Sequence, residues 1–439
     1  MYQISMNPNR AVTIASILQE RRPLAEKIVK TGENLRSLDS ALRYLDEKRQ
    51  QILKQVDDGN IRERLQEIDC QTPITRIADE LKALDKLKVR FCRDRLKIGV
   101  VGRARQGKSR LLQRLTGLTA NEIPDGDRKT CTGVLSTISH RPDTETYADI
   151  WFYSEQSFLA QVIAPYYQKL GLGSQPITIE EFSATALPPL PSDPAIDKAM
   201  YEHLREYHAN LSSYRDLLRT GSPYRATQDE IRKFVAQDTL NGERTYFYMA
   251  VEKADIYCSF PNADVGDIAL VDMPGLGDIN FGDEERLVKT LGQDIDVVLF
   301  VRKPTGMGDF WQEVDVQLYD IAREALDDLP LELWSFMVIN RTEDNSKNCQ
   351  DLAGDIAKKH IKVVNCAIAN CDKTEEVNNV LDRVLEYLLT TTPDGTRIIT
   401  LDKQYGLARQ ESLNELQNQV RTELNKAQNA FGKVANSSL

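Results

Sequence analysis

The sequence is poor in several things, and each shortage removes a class of function. No apolar run approaches the roughly 18 residues that a membrane-spanning helix requires, and the N-terminus carries no signal-peptide core. A cytoplasmic chain is therefore expected, with or without contact at a membrane surface. Histidine is scarce, with 4 residues beside 7 cysteines at positions 70, 92, 131, 258, 349, 366 and 371. That odd, widely spaced set does not make a disulfide framework or a structural zinc site. Positive charge is also in deficit, at 56 Lys and Arg against 66 Asp and Glu, a net charge of -10. Such a balance argues against a general nucleic-acid surface. The 439 residues leave room for a core domain of about 250 residues and a second folded unit.

Against these shortages, one stretch is dense in chemistry. Lys97 to Val101 is a short apolar run suited to a strand covered on both faces, and Leu111, Leu112 and Leu115 follow at helical spacing. Between them lies Gly102-Arg103-Ala104-Arg105-Gln106-Gly107-Lys108-Ser109-Arg110, which fits G-x-x-x-x-G-K-[ST]. Gly102 opens the turn and Gly107 lets the backbone close on phosphates. Lys108 reaches the β and γ oxygens, and Ser109 supplies a magnesium ligand. The helix start adds main-chain N–H groups and the positive end of a dipole.

Flanking this centre, the chain ends read as helices. The first ten residues look untethered; from Val12 to Arg93 the pattern is helical, with punctuation at Gly32, at Asp58-Gly59-Asn60 and at Thr72-Pro73, the last a cap followed by proline in the first turn. Stripes form at Leu35, Leu38, Leu42 and Leu45, and at Ile77, Leu81, Leu84, Leu87 and Phe91. Near the other end Leu413, Leu416, Val420, Leu424, Ala427 and Phe431 keep steps of three or four. Each stripe needs cover, so an α-helical bundle built from N- and C-terminal segments is expected. The expected division is 1–94 helical, 95–392 nucleotide domain with an elaborated 150–240 region, and 393–439 a returning helix.

Downstream of the phosphate loop, residues 123–133 form a polar stretch in which Thr132, with Thr130 in reserve, can place a hydroxyl on magnesium and an N–H on a γ-phosphate. Strands are expected at 134–138 and 145–152. A helix is expected over 154–170 with Pro165 as a kink or an early end, no helical period over 173–194, further helices near 199–208 and 227–236, and a β-like run over 245–260. The apolar strand Asp267 to Asp272 then ends in Asp272-Met273-Pro274-Gly275. Asp272 can hold the metal shell, and Gly275 can present its N–H to the γ-phosphate. After Arg302-Lys303-Pro304 and the next buried strand comes Asn340-Arg341-Thr342-Glu343-Asp344. Asn340 can bond a purine N7 or tie the base loop to the phosphate loop, and Arg341 can lie over the base. Either Glu343 or Asp344 can accept from guanine N1 and N2. Ala369-Asn370, after the last core strand, falls beside the same base. The fold class expected is α/β, a phosphate-loop domain with a mixed central sheet flanked by helices.

From Lys97 to Leu389 these motifs resemble the dynamin superfamily of large GTPases, including its bacterial members. Inside the phosphate loop the chain has Ala104 and Arg105 where the true dynamins carry Gln and Ser. The order Gly-x-x-Arg-x-Gly-Lys-Ser looks instead like the guanylate-binding and atlastin branch. The resemblance implies GTP as substrate, GDP as product, Mg²⁺ as cofactor, and Arg105 as an internal arginine finger. It also implies a nucleotide-dependent homodimer and a bundle that relays nucleotide state. A peripheral membrane or protein partner is compatible with it. A slow regulatory switch and a signalling-type ATPase are the competing readings. Leu276 stands where small G proteins carry glutamine, so no side-chain base is expected.

Overall fold

The structure, a computed structural model, describes residues 8–124, 134–191, 195–239, 241–273, 283–307, 309–325, 330–391 and 397–437. The chain divides into two compact units: Met1–Ser16 with Asp94–Tyr387, and Ile17–Arg93 with Leu388–Leu439.

A nine-stranded mixed sheet forms the first unit. Its strands are β1 (Leu96–Val101), β2 (Ser136–His140), β3 (Tyr147–Phe152), β4 (Tyr224–Thr227), β5 (Val251–Cys258), β6 (Ile268–Asp272), β7 (Val297–Arg302), β8 (Ser335–Asn340) and β9 (Asn365–Ala369). They lie in the order β4-β3-β5-β2-β6-β1-β7-β8-β9. The five strands β6, β1, β7, β8 and β9 are parallel, and β2 joins them antiparallel on β6. Parallel strands covered on both faces require continuous apolar sequence. IALVD, VVLFVR and SFMVIN supply it and are buried at every position.

The other end of the sheet alternates, as half-covered strands should. Ala148, Ile150 and Phe152 of β3 are buried, while Tyr147, Asp149 and Trp151 are only partly covered. The buried face meets the helix Gln228–Val235, where Phe152 and Phe234 stack edge-on at 5.6 Å. On the opposite face Arg225 lies over Tyr147 at 4.4 Å and Lys253 over Trp151 at 4.7 Å, while Trp151 Nε1 donates to Asp255 at 3.1 Å.

The second unit is the helical bundle. It contains α1 (Pro8–Leu53) from Ile17 onward, α2 (Gly59–Gln66), α3 (Gln71–Phe91) and the C-terminal helix Thr400–Ser437. Leu42, Leu65, Ile77 and Leu416 are almost wholly buried in it. A small ribbon pairs Leu389–Thr391 with Arg397–Ile399.

Several local expectations are corrected. α1 runs through both Pro23 and Gly32 without a break. An interior glycine costs only about 1 kcal/mol, less than burial of Leu35 and Leu42 on the same face returns. Of the first ten residues, expected to be untethered, 1–7 lie outside the described residues, while Arg10 is buried and donates to Asp264 at 2.6 Å and Asp382 at 2.7 Å, all within the first unit. Thr72 does not cap α3; its amide is instead taken by Asp69 at 3.0 Å. Leu424 is exposed, and Glu423 occupies the buried row, accepting from the Asp69 amide at 2.8 Å. Pro165 does not end its helix. A π-turn over Leu159–Ile163 widens the register ahead of it, so the proline ring meets no helical carbonyl it must displace. Ile179–Ala184 forms a short helix that the irregular stretch hid, started by Thr178 accepting from the Glu181 amide. The β-like run begins only at Val251, since Phe247–Ala250 is a 3₁₀ turn. The edge strand β4 went unexpected because it has four residues and no period of its own.

Candidate functional site

Five parallel strands end at one edge of the sheet, where Gly102, Asp272, Asn340 and Ala369, singled out from sequence, emerge beside Arg302, which was not. Gly102 follows β1, Asp272 closes β6, Arg302 closes β7, Asn340 closes β8 and Ala369 closes β9. The carboxyl edge of such a sheet is where ligands of open α/β folds bind.

The loop from Gly102 to Gly107 runs from β1 into α4 (Lys108–Thr116). Gly102 has no room for a side chain, since a Cβ there would strike the Val301 carbonyl oxygen. Gly107 has φ 99°, and a Cβ there would strike the Asn340 amide nitrogen. Arg105 also has positive φ, 62°, a region costly for a residue with a side chain, and it is exposed at the loop apex. Lys108 is buried, with Nζ donating to the Gly102 carbonyl at 2.9 Å and the Arg103 carbonyl at 3.1 Å. Ser109 sits in the first turn of α4, partly exposed. Ala104 accepts weakly from Gln106 Nε2 at 3.4 Å, Arg103 donates to Gln312 at 2.5 Å, and Arg110 lies 3.4 Å from Asp372.

Asp272 pairs with Val100 across the β1–β6 ladder, so its buried carboxylate leaves the sheet beside the loop. Hydroxyl and carboxylate oxygens from Ser109 and Asp272 suit a hard cation such as Mg²⁺. At the two glycines the main chain packs directly against the Val301 carbonyl and the Asn340 amide, and the oxygen donors of Ser109 and Asp272 are of the kind that Mg²⁺ takes. Thr130, Thr132 and Gly275 lie outside the described residues.

After β8, Asn340 is buried and engaged at both ends of its amide. Its Nδ2 donates to the Gln106 carbonyl at 2.9 Å and its Oδ1 accepts from the Cys371 amide at 3.1 Å. Of its two expected alternatives, this geometry is the tie between loops. Arg341 Nη2 donates to both carboxylate oxygens of Glu376, at 2.8 and 2.9 Å, and Glu376 also accepts from the Asn370 amide at 2.8 Å. Burial disfavours the Glu376 charge, but the Asn370 amide and Arg341 outweigh it and hold its pKa below the ordinary value of 4.5. Asp344 accepts from the Thr342 hydroxyl at 2.5 Å, and that bond depresses its pKa. Its carboxylate abuts Gly306, where a Cβ would come within 2.9 Å. Glu343 points into solvent. Ala369 is buried and its carbonyl accepts from the Arg341 amide at 2.9 Å.

Three organising residues escaped the sequence reading. Asn345, 1% exposed, accepts from the Thr342 amide at 2.7 Å and donates to the Pro304 and Asn340 carbonyls at 2.9 and 3.2 Å. Glu376 holds the Arg341 side. Arg302 lies under the phosphate loop. An arginine closing an otherwise apolar strand was the one available signal for it.

Among the described residues no helix is long and apolar enough to cross a membrane, and no group of three His, Cys, Asp or Glu could hold a metal. No family model matches the chain, and no curated protein matches it. Among solved structures it is similar to one described as an oligomerised bacterial dynamin pair that provides a mechanism for the long range sensing and tethering of membranes. The TM-score is 0.40 with 13% identity, over 90% of this chain and 57% of that one. This chain thus spans little more than half the length of that structure, and so low a TM-score leaves its function to be argued from the site itself.

Proposed function

We propose that this chain binds GTP and hydrolyses it to GDP in a Mg²⁺-dependent reaction. The observation that supports this best is Asn340, which links the Gln106 carbonyl of the phosphate loop to the Cys371 amide beside the base loop. A purine nucleotide spans those two loops. The main-chain amides from Gly102 to Ser109 hold the phosphates, and Lys108 turns from the loop carbonyls to the β and γ oxygens. Ser109 and Asp272 hold the metal with Thr132, and bound Mg²⁺ supplies charge neutralisation on the terminal phosphates. Arg105, at the loop apex, offsets charge developing on the transferring group, and the backbone near Thr132 and Gly275 orients the attacking water. Arg341 and an acidic group, Glu343 or Asp344, read the base with Asn370.

Phosphate release with GTP and with ATP tests the reading. Turnover of GTP that is lost in Lys108→Ala supports it; equal rates in both proteins overturn it. Arg105→Ala is expected to lower kcat strongly while GTP affinity changes little, and equal turnover would remove Arg105 from the mechanism.

The finer proposal is nucleotide-driven dimerisation through the sheet-bearing unit, coupled to movement of the helical bundle. Turnover that rises with protein concentration supports it, whereas flat turnover with nucleotide-gated partner capture supports the slow switch. The ATPase reading draws on a specific observation: Asp344 is one residue late in the base motif and already accepts from Thr342.

A further inference from the structure

Arg302 has no role in the reaction outlined above, yet it is the centre of a buried charged cluster at the site. Its side chain is 6% exposed and those of Asp309 and Asp315 are 4% and 5% exposed. Arg302 Nη2 lies 2.8 Å from Asp309 and Nε 3.0 Å from Asp315, and Nη1 donates to the Lys303 carbonyl at 2.7 Å. The same Nη1 donates to Gln106 Oε1 at 3.2 Å, an oxygen that also accepts from the Lys303 amide. Arg103 completes the cluster, 3.7 Å from Asp315. Two members, Arg103 and Gln106, therefore belong to the phosphate loop.

A buried ion cluster is a poor source of net stability, because desolvation cancels most of its attraction; fixing one arrangement over others is its best-attested use. Every other position of β7 is apolar and buried, so an apolar side chain at 302 would continue the strand's own pattern. The arginine instead grips the side chain of Gln106, while Asn340 grips its carbonyl. Gln106 stands between Arg105 and Gly107, both at positive φ. A left-handed residue other than glycine persists only where its surroundings over-determine it.

We propose that Arg302 is a positioning residue that pre-shapes the phosphate loop, with Gln106 as the group through which it acts. This role rests on the nucleotide reading of the site. Held by Asp309 and Asp315, the guanidinium anchors the Gln106 side chain from β7 through Nη1 as Asn340 anchors its carbonyl from β8, so the loop holds its amides converged before phosphate arrives.

The test replaces the cluster without leaving buried carboxylates unpaired, using the triple variant Arg302→Met, Asp309→Asn, Asp315→Asn in the full chain. Amide hydrogen exchange without added nucleotide is compared over residues 102–109 and over β1. Exchange in the loop is expected to rise about tenfold with β1 unchanged. The KM for Mg·GTP is expected to rise about tenfold with kcat within about twofold, the pattern of lost uniform binding. Arg302→Lys, which keeps the charge without the fork, should fall between, and it carries the same comparison if the triple variant does not fold. Loop exchange equal to that of the parent chain overturns the brace. A parent chain that takes up no nucleotide overturns the nucleotide reading, a separate result that the exchange measurement does not depend on.

Discussion

The five parallel strands and the four that extend the sheet beyond them solve burial in opposite ways. In β6, β7 and β8 every side chain is covered; apart from Ser335, which opens β8, their polar residues stand at the carboxyl ends, as Asp272, Arg302 and Asn340. In β3 and β5 polar and aromatic residues run along one face throughout, and they satisfy one another through Arg225, Tyr147, Lys253, Trp151 and Asp255. The first half brings the charged and amide groups of β6, β7 and β8 to one edge, where they face loops. The second spreads them over a face, where each already has its partner. A site needs the first arrangement, and a scaffold tolerates the second.

Substitutions on the two halves should therefore separate in kind. The largest effect is expected for Lys108→Ala, with kcat for GTP lowered about 10²–10³-fold, the scale of one lost electrostatic stabiliser, and an unfolding midpoint close to that of the parent in a thermal scan. Asn340→Ala withdraws partners from the Gln106 carbonyl and the Cys371 amide, both in the buried interior of the site. Losing them is expected to cost about 2–3 kcal/mol, read as roughly 10²-fold weaker nucleotide binding by calorimetry.

Glu376→Gln comes next, at about 1–2 kcal/mol near neutral pH, since its charge-assisted bonds are only part-buried. The folded pKa of Glu376 lies below its ordinary value of 4.5. Its contribution is thus fully present above that value and is lost as pH falls through the lowered folded one. Denaturant midpoints of the parent and the variant should converge across that acid range; a gap that stays constant would show that the carboxylate charge is not involved. The smallest effect is expected for Arg225→Ala on the extended half, a denaturant midpoint barely below that of the parent, because its ion pair with Asp149 and its contact with Tyr147 are exposed and screened by solvent. Nucleotide affinity there should not change, and a change would break the division between the halves.

What the sequence disclosed follows the same line. The strand, loop and helix around Lys108, the aspartate closing β6 and the asparagine closing β8 were legible because each is a local pattern whose meaning is set within about ten residues. The contact between Arg302 and Gln106 was not, since the two are 196 positions apart and are brought together by the β1–β7 ladder. Glu376 likewise reads as a helix-start carboxylate until the fold sets Arg341 and Asn370 against it. In the bundle, spacing nominated Leu424, but the buried row holds Glu423, because an unmet amide at Asp69 asks for a carboxylate there. Apolar periodicity carries no record of such an amide.

Calorimetric titration of the full chain with GTP, GDP and ATP in the presence of Mg²⁺ tests the central claim most directly. Saturable uptake of GTP and GDP, stronger than that of ATP and abolished by Gly107→Ala, is the predicted result. Absence of uptake for every purine triphosphate at saturating concentration would contradict the account.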